Sequence, residues 1–122
     1  MIEGIGIEQV LVSDLAGKLA GQPETRQFFT PDEIAYCESQ RRSEQSFAAR
    51  LAAKKAFCKA AGIPAGATNL AEIEVTRDSR GNPGLKLHGH VRDAMERRKI
   101  INIRVSLSHE SDLAAAVVTL ES

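Results

Sequence analysis

The chain has 122 residues, with 16 basic and 16 acidic side chains, a formal net charge of zero, four Phe, one Tyr and no Trp. That length predicts one domain, residues 1–122, around one core. A neutral, aromatic-poor chain excludes both a bulk electrostatic grip on nucleic acid and a base-stacking platform.

The first predicted element is a strand over Gly4–Val12, apolar and carrying two glycines. The start Met1-Ile2-Glu3-Gly4 has no basic segment and no long apolar run, so no signal peptide is expected. A short polar helix follows over Ser13–Ala20 and is broken by Gly21-Gln22-Pro23. Thr30-Pro31-Asp32-Glu33 is a strong start signal: a capping Thr, a Pro at the first helical position and a Glu at the third. It predicts a helix from Pro31 to about Ser39. A longer helix begins at Ser43, where Phe47, Leu51, Ala52, Ala56 and Ala60 recur at three- and four-residue steps. Gly62 and Pro64 end it.

From Leu70 the period changes. Ile73 and Val75 alternate with charges, Asp78 to Pro83 is a turn cluster, and Leu85 and Leu87 alternate again, which predicts a hairpin. His90–Arg98 reads as a basic helix. Ile101, Ile103, Val105 and Leu107 form an alternating strand, Ser108–Asp112 turns the chain, and Leu113–Leu120 returns as a mostly buried strand. That last stretch is the longest without charge and is far too short to span a membrane. The main elements run β, α, α, β, β, α, β, β: an α+β fold, with a largely antiparallel sheet packed against helices. Cys37 and Cys58 stand in no CxxC pair, are too few for a zinc site, and fit a reduced, cytoplasmic setting.

Three places hold candidate chemistry. Arg50, Lys54, Lys55 and Lys59 lie on the long helix at four-residue steps and form a broad basic stripe. Like charges at that spacing repel, which points to a nearby anion such as phosphate or, more plainly, to a solvated face neutralised by acids elsewhere. Gly4-Ile5-Gly6-Ile7-Glu8 places a carboxylate at the end of a buried strand, although the glycines alone also fit close packing or a bulge. Ser106, Ser108 and His109 put hydroxyls and an imidazole at a strand end, suited to a phosphate, a proton or simple backbone capping. No GxSxG elbow is present for a serine hydrolase.

Taken in order, these segments resemble the holo-acyl-carrier-protein synthase family of 4′-phosphopantetheinyl transferases. Gly4-Ile5-Gly6-Ile7-Glu8 is similar to the family's G-I-G-hydrophobic-Asp start. Phe29-Thr30-Pro31-Asp32-Glu33 is similar to F-T-x-x-E, and Ala48–Phe57 to the helix signature A-x-R-F-A-A-K-E-A-F. Gly81-Asn82-Pro83 resembles G-K-P, with Leu87-His88-Gly89 after it, and Val105–His109 resembles V-S-I-S-H. Ala115-Ala116-Val117-Val118 completes a match that covers nearly the whole chain.

The resemblance implies transfer of the 4′-phosphopantetheine arm of coenzyme A to a serine of an acyl carrier protein, releasing adenosine 3′,5′-bisphosphate. It implies contacts to coenzyme A from Arg50, Lys54, Cys58, Lys59, Gly81, Asn82, Pro83, Ser108 and His109. It also implies a homotrimer whose sheets pack around a threefold axis and whose pockets are shared between neighbours. Fatty acid synthesis is the pathway implied by default. Three departures stand out. Glu8 replaces an Asp and Lys55 replaces a Glu, the two carboxylates by which the family holds magnesium; an ammonium has no lone pair for a metal. Asp14 stands where the family usually has an Arg facing the carrier protein, which opens a specialised carrier as partner. The catalytic candidates are therefore Glu8, Lys55 and His109, with Glu8 the one remaining metal candidate. Two readings follow: an active transferase in which Lys55 supplies charge in place of metal, or an impaired relative that binds coenzyme A or a carrier protein without efficient transfer. An unrelated nucleotide-binding module is a distant third.

Overall fold

A computed structural model describes all 122 residues. Five strands and four helices follow one another as β1 (Ile2–Leu11), α1 (Val12–Gly21), α2 (Pro31–Ser39), α3 (Ser43–Ala61), β2 (Ile73–Arg77), β3 (Pro83–Leu87), α4 (Gly89–Arg97), β4 (Asn102–Glu110) and β5 (Leu113–Glu121), with short 3-10 turns at Pro23–Phe28, Ala65–Ala67 and Leu70–Glu72. The α+β expectation holds, but the strands divide into two antiparallel sheets. One has the order β1-β5-β4 and the other is the β2-β3 hairpin. No helix is long and apolar enough to cross a membrane.

Helix α3 is the centre of the molecule. Ala48, Ala49, Ala52, Ala53, Ala56 and Ala60 are all buried on it, so its backbone packs close to the sheet. The approach is closest over β1. A Cβ at Gly4 would run into the carbonyl oxygen of Ala60, and one at Gly6 into that of Ala56. Of the two readings open for the G-x-G segment, close packing accounts for both glycines. A register shift between Ile2 and Gly4 adds an irregularity at the strand's start.

The predicted helix signals are present. Thr30 Oγ1 accepts from the Glu33 N–H (3.1 Å), and Glu33 Oε1 accepts from the Thr30 N–H (2.9 Å), completing a capping box on α2. Gly62 takes φ 70° and closes α3, with the Ile63 N–H donating to the Cys58 carbonyl (2.9 Å). Helix α1 is capped from across the chain: Asp112 accepts from the Ser13 N–H (2.9 Å) and from the Ser13 hydroxyl (2.6 Å).

One boundary differs in a way that matters. Ser108 and His109 were expected in a turn but lie within β4, where His109 pairs with Ala114 and Glu110 with Leu113. Only Ser111 and Asp112 turn the chain. Ser111 adopts φ 55°, which closes the hairpin three residues later than the polar run suggested.

Strand alternation sorts the larger sheet into two faces. Ala114, Ala116, Val118 and Leu120 of β5 point under α3, as do Ile103, Val105 and Leu107 of β4 by register. The other face has no helix over it. It carries Ile5 and Ile7 of β1, each 56% exposed, Val117 of β5, 38% exposed, and Leu11 and Leu113. On β4 the same face is polar, with Arg104, Ser106 and Ser108. The uncovered apolar surface therefore belongs to β1 and β5; the alternating apolar residues of β4 are spent on the core.

Candidate functional site

The close contact of α3 with β1 builds a pocket. Glu8 lies on the inner face of β1 between Gly6 and Val10, and Lys55, Cys58 and Lys59 come from the facing side of α3. Together with Ile63 and Ala65 they line a cavity of about 370 Å³. Lys59 Nζ donates to Glu8 Oε1 (3.3 Å) and lies 3.5 Å from the Ile7 carbonyl. Cys58 is almost wholly buried in the wall, and burial pushes its thiol pKa up, so it presents a neutral group. Glu8 is the only carboxylate lining this cavity.

The basic stripe expected from the sequence does not exist as one surface. Lys54 and Lys55 are adjacent, so they point about 100° apart around the helix. Lys54 turns inward and is fully buried. Its ammonium donates to Glu33 Oε1 (2.8 Å), the Leu70 carbonyl (2.9 Å) and the Ile73 carbonyl (2.6 Å), using all three protons. Burial pushes the Lys54 pKa down and the neighbouring Glu33 carboxylate opposes that shift. Lys54, expected to touch coenzyme A, is instead a strut of the core.

Arg50 is also buried, 2% exposed, but it lines a second cavity of about 260 Å³. Its guanidinium lies 4.3 Å from the Tyr36 ring centroid, and that of Arg77 lies 5.1 Å from the same centroid. Arg50 Nη1 donates to the Ser46 carbonyl (3.3 Å), while Arg50 Nε is the one buried side-chain nitrogen or oxygen without a hydrogen-bond partner. Arg77 Nη1 in turn donates to the Gly81 carbonyl (2.7 Å), joining this cavity to the Gly81-Asn82-Pro83 turn. Asp78 braces that turn by accepting from the N–H groups of Arg80 and Asn82, each at 2.9 Å, and its carboxyl is held below its ordinary range chiefly by Asn82. Gly81 takes φ 83°, which explains a glycine there. Sequence reading did not find Tyr36 and Arg77; their signal was only a lone aromatic and one charge of an alternating strand.

His109 and Ser108 stand apart from the first pocket. His109 pairs with Ala114, which pairs with Val10, so His109 and Glu8 share a sheet face but are separated by β5 and by two residues along the strands. Strand spacing puts their Cα atoms about 12 Å apart. Ser108 points to the opposite, uncovered face. Within one chain the predicted site residues thus form separate groups: Glu8, Lys55, Cys58 and Lys59 in one, Arg50 with the Gly81 turn in a second, and His109 at the end of β4.

The donor set does not fit a resident magnesium. Glu8 has no second carboxylate beside it in the pocket, and the only other ligating side chain there is the buried neutral thiol of Cys58, a poor partner for a hard cation. A divalent cation on Glu8 would share the pocket with two ammonium groups. Unit charges 4 Å apart repel by about 1 kcal/mol in water and about 4 kcal/mol at an effective dielectric of 20, and a divalent ion doubles both figures.

Comparison with known proteins places this geometry. A family profile described as the 4′-phosphopantetheinyl transferase superfamily matches residues 4–118. A holo-[acyl-carrier-protein] synthase of Moorella thermoacetica is 40% identical over 118 residues, which cover 96% of this chain and 92% of that protein. The crystal structure of the holo-[acyl-carrier-protein] synthase of Neisseria meningitidis is 30% identical, covers 100% of both chains and superposes with a TM-score of 0.89. A holo-(acyl-carrier-protein) synthase of Bacillus anthracis, solved in complex with CoA (3′,5′-ADP), is also 30% identical, with a TM-score of 0.82 over 100% of this chain and 98% of that one.

Proposed function

The chain belongs to the 4′-phosphopantetheinyl transferase superfamily, and from that premise we propose that it is a holo-acyl-carrier-protein synthase. It moves the 4′-phosphopantetheine group from coenzyme A to a serine of an acyl carrier protein. The serine oxygen forms a bond to the β-phosphorus, the bond from that phosphorus to the bridging oxygen breaks, and adenosine 3′,5′-bisphosphate leaves. Phosphoryl transfer is mostly placement and charge neutralisation. The pocket formed by Glu8, Lys55, Cys58 and Lys59 is the observation that carries this reading. Lys55 and Lys59 meet the diphosphate, and Glu8, the one carboxylate present, accepts the serine proton. None of these findings favours a relative that binds without transferring.

The remaining site residues complete the pocket from a neighbouring copy. Arg50, Arg77 and the Gly81-Asn82-Pro83 turn receive the adenosine 3′-phosphate end, and His109 contacts a phosphate. Their separation from Glu8 within one chain, together with the uncovered apolar face of β1 and β5, supports a homotrimer with shared sites. The setting is cytoplasmic and the carrier protein is that of fatty acid synthesis or a more specialised pathway. Asp14, which lines a small cavity with Lys18 and Lys55 on the α1 side, marks where the partner's charge pattern is read.

Transfer of labelled pantetheine from coenzyme A to apo-acyl-carrier protein tests the reading. Lys59→Ala is expected to weaken coenzyme A by about tenfold, the worth of one charge-assisted phosphate contact. A wild-type protein that modifies no carrier protein while remaining folded overturns it.

A further inference from the structure

The four cations of α3 differ in what they already hold. Lys54 has three protein acceptors, Lys59 is paired with Glu8, and Arg50 lies over Tyr36 with one bond to Ser46. Lys55 alone has neither an ion pair nor a hydrogen bond within the chain. It is half-buried, and it lines both the Glu8 pocket and the smaller cavity that Gln9, Asp14 and Lys18 share. Lys55 thus borders both cavities with all its donors uncommitted.

We propose that Lys55 is a built-in counter-ion for the diphosphate of coenzyme A, so that this chain binds coenzyme A without a divalent cation. The inference rests on the transferase reading above. The donors of Lys55 are uncommitted within the chain, and a diphosphate supplies charge-assisted acceptors for them. A divalent ion coordinated to Glu8 would enter a pocket where Lys59 already neutralises that carboxylate and Lys55 repels the newcomer. One tethered cation therefore serves where a carboxylate pair would otherwise have gathered a diffusible one.

Calorimetric titration with coenzyme A, in excess magnesium and in EDTA, reads this directly. The wild-type affinity is expected to agree within about twofold between the two buffers, and Lys55→Gln to weaken it about tenfold in both. Lys55→Glu is expected to bind poorly in EDTA and recover with magnesium, with manganese seen by electron paramagnetic resonance only in that variant's complex. Circular dichroism checks the fold of each variant; if Lys55→Glu does not fold, the wild-type and Lys55→Gln titrations decide. Magnesium-dependent tightening of the wild type by about tenfold or more, manganese held in its coenzyme A complex, or an unchanged affinity in Lys55→Gln overturns the proposal alone. Absence of coenzyme A binding in both buffers overturns the transferase reading with it.

Discussion

Glu33 and Lys54 meet at 2.8 Å with neither side chain reaching solvent. Glu33 is also the third residue of α2 and closes its capping box, and its second oxygen accepts from the Val75 N–H at 3.0 Å. One ion pair thus ties α2, α3 and β2 together. Removing one member of such a pair leaves an uncompensated buried charge and costs about 3–5 kcal/mol. Lys54→Met is expected to lose stability on that scale in urea denaturation. The double variant Lys54→Met, Glu33→Gln is expected to recover part of it. Coenzyme A affinity of the folded Lys54→Met protein is expected to stay near that of the wild type, because Lys54 lines no ligand pocket.

Gly6 sets the distance between α3 and β1. A methyl group there meets the Ala56 carbonyl, which is backbone and cannot swing aside. Gly6→Ala is expected to cost about 1–3 kcal/mol through forced backbone shifts. It is also expected to weaken coenzyme A, because moving the helix separates Lys59 from Glu8. Denaturation and coenzyme A titration of the same variant measure the two effects. A stable Gly6→Ala protein with unchanged affinity would show that close packing does not set the pocket.

Glu74 supplies a pH-dependent contact. Burial pushes its carboxyl up, but hydrogen bonds from His88 (2.9 Å) and the Thr30 hydroxyl (3.0 Å), with the charges of His88 and Lys86, outweigh burial and hold its pKa below the ordinary value. A carboxyl with a depressed folded pKa contributes stability that is fully present above its unfolded pKa and lost as pH falls through the folded one. Glu74→Gln is therefore expected to be about 1 kcal/mol less stable than the wild type at pH 7. That gap should begin to close below about pH 4.3, the ordinary Glu value. Thermal melts across pH follow it, and a gap that widens on acidification would contradict the sign.

Local signals were legible where local physics decides. The Thr30–Glu33 box and the Gly62 stop reside in a few consecutive residues and appear as expected. The long helix's apolar period was legible too, but which of two adjacent lysines faces the core was not. Lys54 and Lys55 are chemically identical, and only the positions of Glu33, Leu70 and Ile73, brought from elsewhere in the chain, send one inward. The same limit hid Tyr36 and Arg77, which gain meaning only beside Arg50. Ser108 and His109 looked like turn residues because polar runs usually are. Hairpin pairing overrode that composition once Ser111 could take φ 55°.

The separation of His109 from Glu8 in one chain leads to a test of the shared site. If each pocket takes Glu8, Lys55 and Lys59 from one protomer and His109 from the next, two defective chains can repair each other. Lys59→Ala spoils only the pocket to which its own β1 side contributes, and His109→Ala only the neighbour's. Co-expressed in equal amounts, random assembly places an intact Lys59 opposite an intact His109 in about one quarter of the pockets of a cyclic trimer. Transfer activity of the mixture is then expected to exceed the mean of the two variants alone. A site contained within one chain predicts no gain. The uncovered face supplies the second arm of the test. Val117 sits on the central strand of that face between Ile7 and Ser106. A carboxylate there would be buried without a partner in the assembly, at a cost of several kcal/mol, while a free protomer would leave it in water. Val117→Asp is therefore expected to yield a folded monomer by light scattering, with coenzyme A binding lost because half of each pocket has gone. A wild-type protein that is monomeric at micromolar concentration and still binds coenzyme A would remove both the trimer and the shared pocket.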